Sequence, residues 1–83
     1  MRNKIKIAVI GLGYVGLPLA VEFGKKYYTY GFDINRKRIS QLKKNIDKTE
    51  VINTNQIKSS KKIKFTHNTE DLRNCNFYII AVP

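Results

Sequence analysis

Cysteine, histidine, tryptophan and acidic residues are all scarce in this chain of 83 residues, and each scarcity closes off a class of chemistry. Cys75 is the one cysteine and His67 the one histidine, so neither an internal disulfide nor a zinc cluster can be assembled. No Ser-His-Asp or Cys-His set is available, and no catalytic residue or metal ligand is assigned. No glycine-rich loop ends in Lys-Ser or Lys-Thr, so nothing points to nucleotide hydrolysis. Apolar runs fall far short of the roughly 20 residues that a membrane helix needs. The longest, Phe77 to Pro83, suits a buried strand. Arg2 and Lys4 are not followed by the apolar stretch of a secretory leader, because Gly11, Gly13 and Gly16 interrupt the only candidate. The expectation is a cytoplasmic chain with no membrane partner.

Six acidic residues stand against sixteen basic ones, for a net charge of +10. Such a surface attracts polyanions. The distribution argues for solvated faces instead: Lys4 and Lys6 alternate with Ile5 and Ile7, and Lys43 and Lys44 fall on the polar side of a helix. The densest patch, Lys58, Lys61, Lys62 and Lys64, has no glycine-rich loop beside it. No nucleic-acid partner is expected.

The hydrophobic pattern alternates strand and helix. Lys4 to Ile10 reads as a strand whose end is continuously apolar, as in a parallel strand buried on both faces. A turn at Gly11-Leu12-Gly13 leads into a helix from about Gly13 to Lys25. Val15, Leu19 and Phe23, four apart, are its expected buried stripe. Tyr28 to Asp33 is a second strand. Asn35 caps a second helix with Ile39, Leu42 and Ile46 inward. Asp47 to Ser60 is a polar loop with room for a short helical piece. Ile63 to Thr66 is a strand, Thr69 to Arg73 a helical turn capped by Thr69, and Asn76 to Val82 a last strand. This β-α-β-α-β-β order implies an α/β fold with a parallel sheet. The expectation is a partial Rossmann-type doubly wound sheet, truncated after its fourth strand, with residues 1–83 the amino-terminal part of a dinucleotide-binding domain.

Chemistry concentrates in Gly11-Leu12-Gly13-Tyr14-Val15-Gly16, a G-x-G-x-x-G between a strand and an amphipathic helix. Gly11 permits the tight turn, Gly13 lets a pyrophosphate approach the backbone, and Gly16 lets the helix pack closely on the sheet. The pyrophosphate then meets the helix N-terminus, where free N–H groups and the dipole favour negative charge. Asp33 lies 20 residues after Gly13, near the spacing of about 20 at which an acid meets the adenosine ribose. A carboxylate there repels the extra phosphate of NADP and favours NAD. Arg36 and Arg38 bear on the choice in the other direction, since an arginine in this loop can accommodate a 2′-phosphate. Both also read as ordinary solvated helix residues. Cys75 reads as a small apolar filler, and Tyr27, Tyr28 and Tyr30 as strand packing.

Ile7 through Ala20, Gly31 through Asn35, Arg38-Ile39, Asp71-Leu72 and Ile79 through Pro83 together resemble the UDP-glucose/GDP-mannose dehydrogenase family. Gly-Leu-Gly-Tyr-Val-Gly-Leu-Pro-Leu-Ala is most similar to its bacterial branch acting on UDP-N-acetylhexosamines for surface polysaccharides, the Vi-antigen type. The resemblance implies an NAD-dependent oxidation of the C6 alcohol of a UDP-sugar to a carboxylate, by way of a cysteine thioester. It implies that Gly11, Gly13, Tyr14, Val15 and Gly16 hold the pyrophosphate, that Asp33 meets the ribose, and that Arg38 lies near the adenine end. Ala81, Val82 and Pro83 are placed near the central or nicotinamide-side portion of NAD. Cys75 does not match the family's nucleophile motif. The resemblance further implies a larger, homodimeric enzyme of which residues 1–83 alone are inactive. Another NAD-dependent hydroxyacid or sugar-acid dehydrogenase, and a non-catalytic dinucleotide-binding module, are the alternatives.

Overall fold

The computed structural model describes residues 4–82. Four strands, β1 (Lys6–Ile10), β2 (Tyr28–Phe32), β3 (Ile63–Thr66) and β4 (Phe77–Ile80), form one sheet in the order β3-β2-β1-β4. All three pairings are parallel, with Val9 of β1 opposite Gly31 on one side and Ile79 on the other. Three helices connect them: α1 (Gly16–Gly24), α2 (Arg36–Lys43) and α3 (Thr54–Ser59). The α/β architecture and its parallel sheet are those expected. Within the polar 47–60 segment the helical piece is real, and a capping box explains it: the Asn53 side chain accepts from the Gln56 N–H while the Gln56 side chain accepts from the Asn53 N–H.

The period of two along β1 splits its side chains between two layers. Ile7 and Val9 join Leu17, Ala20 and Val21 of α1, Ile39 and Leu42 of α2, and Ile57 of α3 in the main core. Ala8 faces the other way, onto Phe32, Leu72 and Cys75. That second face carries the connection from β3 to β4, a 3-10 turn at Thr69–Leu72, among the described residues. The chain thus moves outward from β1 through β2 to β3 on one side, then crosses to β4 on the other. The strand order reverses at the carboxyl end of β1, where open α/β sheets bind ligands.

Several expected details change. The buried face of α1 is Gly16, Leu17, Ala20, Val21 and Gly24; of the expected Val15-Leu19-Phe23 stripe, Phe23 packs against the core while only partly buried. Val15 is 71% exposed because α1 starts at Gly16, three residues later than expected, with Val15 as its N-cap. Pro18 is therefore the third helical residue, where a missing N–H removes no intrahelical bond. Ile46 lies beyond the end of α2 and is exposed. The 3-10 turn is capped by Asn68, whose side chain accepts from the Glu70 N–H, not by Thr69. Phe77, Tyr78 and Ile80 of β4 are more than half exposed.

Candidate functional site

The glycine turn follows directly from β1. The Gly11 N–H donates to the Phe32 carbonyl at 2.9 Å, tying the start of the turn to the end of β2. Gly11 has φ +102°, a region that side chains other than glycine rarely enter. A Cβ there would also come within 2.7 Å of Val82 Cγ1. A Cβ on Gly16 would overlap the Gly11 carbonyl oxygen and stand 3.1 Å from the Ala81 Cβ. Gly16 therefore packs α1 against the turn itself and the end of β4, a closer target than the sheet it was expected to meet. Gly13 differs from both: a Cβ there would meet nothing within 4 Å. Its bare backbone borders open space.

Beside that space, the start of α1 leaves backbone donors unspent. Val15 supplies no side-chain cap to α1. The Leu17 N–H donates to the Gly13 carbonyl at 3.1 Å, but the N–H groups of Gly13, Tyr14, Val15 and Gly16 have no acceptor among the described residues. The side chains of Tyr14 and Val15 are exposed. The Ala81 N–H donates to the Ile10 carbonyl at 2.8 Å, holding Ala81 and Val82 beside the turn. Pro83 lies outside the described residues.

Asp33 follows β2 and uses both carboxylate oxygens. Oδ2 accepts the Leu12 N–H at 3.0 Å, and Oδ1 accepts the Asn35 N–H at 3.0 Å. A carboxylate has about four lone-pair sites, so each oxygen retains capacity for a hydroxyl donor. Arg38 holds the other backbone polar group of the same residue: its Nε donates to the Leu12 carbonyl at 2.6 Å. Asn35 caps α2 as expected, accepting the Arg38 N–H at 3.1 Å. Arg36 is exposed, but the Arg38 side chain is only 13% exposed, which corrects its reading as a solvated helix residue.

Sequence reasoning missed the partner that buries Arg38. Its Nη1 donates to Asp47 Oδ1 at 3.1 Å, and the Asp47 side chain is 0% exposed. The same carboxylate accepts from the Thr49 N–H and hydroxyl and from the N–H groups of Val51 and Ile52. Burial pushes the Asp47 carboxyl up, but the bonds from Thr49, Ile52 and Arg38 outweigh it and hold it below its ordinary value of 3.8. The Asp47-Lys48-Thr49 order hints at a carboxylate that folds its own loop. Nothing in it shows that Arg38, nine positions earlier, completes the set.

A groove of about 680 Å³ along the outer edge of β3, lined by Lys43, Lys58, Lys61 and Lys64, contains none of these residues. It lacks a cluster of free backbone donors and an acid placed among them. The glycine turn has both and sits at the strand-order reversal, so the site is assigned there.

An α/β sheet with this turn, acid and helix N-terminus defines a dinucleotide-binding domain. Residues 5–83 match the model of the UDP-glucose/GDP-mannose dehydrogenase family, NAD binding domain, and the chain belongs to that family. Its cofactor is NAD. It is 52% identical over 81 residues to a UDP-N-acetyl-D-glucosamine 6-dehydrogenase of Pseudomonas aeruginosa, covering 98% of this chain and 19% of the relative. Another protein of that name, from Salmonella typhi, is 51% identical over 81 residues, with the same 98% and 19% coverage. The UDP-D-ManNAc dehydrogenase structure from Pyrococcus horikoshii superposes with a TM-score of 0.81 at 35% identity, covering 94% of this chain and 20% of that one. The chain thus spans about a fifth of the length of these relatives.

Proposed function

We propose that this chain supplies the NAD-binding turn of a UDP-sugar 6-dehydrogenase, with a UDP-N-acetylhexosamine as the substrate of the whole protein. The carrying observation is the pairing of open space at Gly13 with free N–H groups at the start of α1. A pyrophosphate fits that combination in size and charge. Gly11 and Gly16 fix the shape of the turn. Gly13, Tyr14, Val15 and Gly16 present backbone donors to the phosphates. Asp33 accepts the adenosine ribose hydroxyls with its remaining lone pairs, and its charge disfavours a 2′-phosphate. Arg38 serves the same end of the cofactor through its hold on Leu12. Ala81 and Val82 line the path toward the nicotinamide. Bound NAD supplies the hydride acceptor, and the protein supplies position and charge complementarity.

The substrate reading rests on the two relatives whose names specify UDP-N-acetyl-D-glucosamine. Oxidation of C6 to a carboxylate requires groups that activate that carbon, and none is assigned to this chain. The chain is read as the amino-terminal part of the NAD-binding domain, with catalytic and substrate domains elsewhere in a cytoplasmic homodimer. No helix among the described residues is long and apolar enough to cross a membrane. Calorimetric titration with NAD and NADP tests the site. Saturable NAD binding that weakens in Asp33→Ala is expected. Preference for NADP, or NAD binding indifferent to Asp33→Ala, would overturn the assignment.

A further inference from the structure

We propose that Asp47 is a specificity-determining positioning residue of the cofactor site: it locks Arg38 against the glycine turn and so withholds that guanidinium from the 2′-phosphate of NADP. The inference rests on the reading of the glycine turn as the dinucleotide site. An arginine following the acid at the end of the second strand is the group that accommodates a 2′-phosphate in domains of this architecture. Arg38 stands in that segment, yet two of its three guanidinium nitrogens are engaged and the third is buried. Nε is spent on the Leu12 carbonyl at 2.6 Å, Nη1 on Asp47 Oδ1 at 3.1 Å, and Nη2 is buried with no acceptor among the described residues. A phosphate could recruit this fork only by breaking the ion pair and leaving Asp47 buried without its cation, which is strongly unfavourable.

Asp47 is itself held too firmly to follow Arg38 outward. Four of its five hydrogen bonds come from its own loop: two from Thr49 and one each from Val51 and Ile52. That loop includes Glu50 at φ +60°, a conformation a non-glycine residue adopts only when its surroundings impose it. The anchored loop fixes Asp47, Asp47 fixes Arg38, and Arg38 fixes the Leu12 carbonyl whose N–H is on Asp33. On this account NAD preference has two sources. The Asp33 carboxylate repels the phosphate, and the Asp47 carboxylate keeps its natural partner away.

The test compares NAD and NADP affinities by calorimetry in the intact protein and its variants. In Asp47→Asn, which keeps the shape and removes the charge, NADP binding is expected to tighten by about tenfold relative to NAD, the gain of one charge-assisted hydrogen bond. Adding Arg38→Met should abolish that gain, and Asp47→Glu should keep NAD preference nearer that of the parent. Equal weakening of both cofactors, or a gain that survives without Arg38, would mean a purely structural Asp47. Arg38→Met alone provides an arm that does not depend on Asp47→Asn folding. A locked Arg38 predicts that the two cofactors lose affinity by the same factor, whereas a selective loss of NADP binding overturns the proposal. Gly13→Val is the control for the site itself: if NAD binding survives it, the placement of the cofactor fails, irrespective of the Asp47 result.

Discussion

Gly16 lies directly against the carbonyl oxygen of Gly11, so closely that a Cβ on Gly16 would overlap it. The two ends of the glycine motif are in contact, and the start of α1 closes the turn on itself. Gly11 cannot yield readily, since its N–H is bonded to the Phe32 carbonyl and Val82 packs against its Cα. Gly16→Ala should therefore force α1 away from the turn. We expect a loss of about 1–3 kcal/mol in unfolding free energy, the usual range for overpacking, with weakened NAD binding. Denaturant unfolding and calorimetry on the same sample check this. An unchanged midpoint would show that the contact is looser than described.

Gly13→Ala should behave in the opposite way. Nothing lies within 4 Å of the added methyl, and Gly13 is not among the glycines of positive φ. Stability should hold or rise by about 0.4–1 kcal/mol, because alanine restricts the unfolded chain. NAD affinity should nonetheless fall by about tenfold or more, because the methyl occupies the space a pyrophosphate needs. A thermal melt alongside a titration separates the two effects. A variant that loses stability but binds NAD normally would refute the assignment of that space.

Asp47 makes the fold sensitive to acid. Its carboxyl in the folded state is held below the ordinary value of 3.8, so the folded chain releases this proton more readily than the unfolded chain. The resulting stabilisation is fully present above that ordinary value and is lost as pH falls through the lower, folded one. Asp47→Asn should be less stable near neutrality and should lose less stability on acidification over that window. The two curves of unfolding free energy against pH should therefore converge at low pH. Parallel curves would show that Asp47 titrates alike in both states.

Cys75 should be chemically quiet while the chain is folded. It is buried against the second face of the sheet, where burial pushes its thiol up, although the charge of Lys6 acts in the opposite sense. The thiolate is the reactive form, so a raised thiol that is also inaccessible reacts slowly. Labelling by a disulfide reagent should rise with urea along the same curve as loss of helical dichroism. Complete, immediate labelling of the native chain would contradict the packing.

The contrast between Asp33 and Asp47 shows what the residues disclose in advance. Asp33 could be found from its distance to Gly13 and its place after an apolar strand, because both follow from local periodicity. Asp47 sits in a polar segment with no repeating pattern, and its role depends on where α2 delivers Arg38. The buried face of α1 was misread for a related reason. Val15 and Leu17 are both apolar, and the choice between them depends on whether the helix begins before or after Val15. Gly16 settles that start through its contact with the Gly11 carbonyl, which involves the end of β1 and Ala81 as well.

The sequence alone determined the alternation of strands and helices, the glycine turn, the acid after the second strand and the cap at Asn35. All of these are set by interactions among near neighbours along the chain. Tertiary structure decided that β4 lies beside β1, bringing Ala81 and Val82 against Gly11, and that Arg38 points inward to Leu12 and Asp47. Those outcomes depend on the order in which strands assemble and on which charge finds a partner once water is excluded. Neither is written in the spacing of residues, because the groups that meet are distant in the chain and become neighbours only when the sheet has formed.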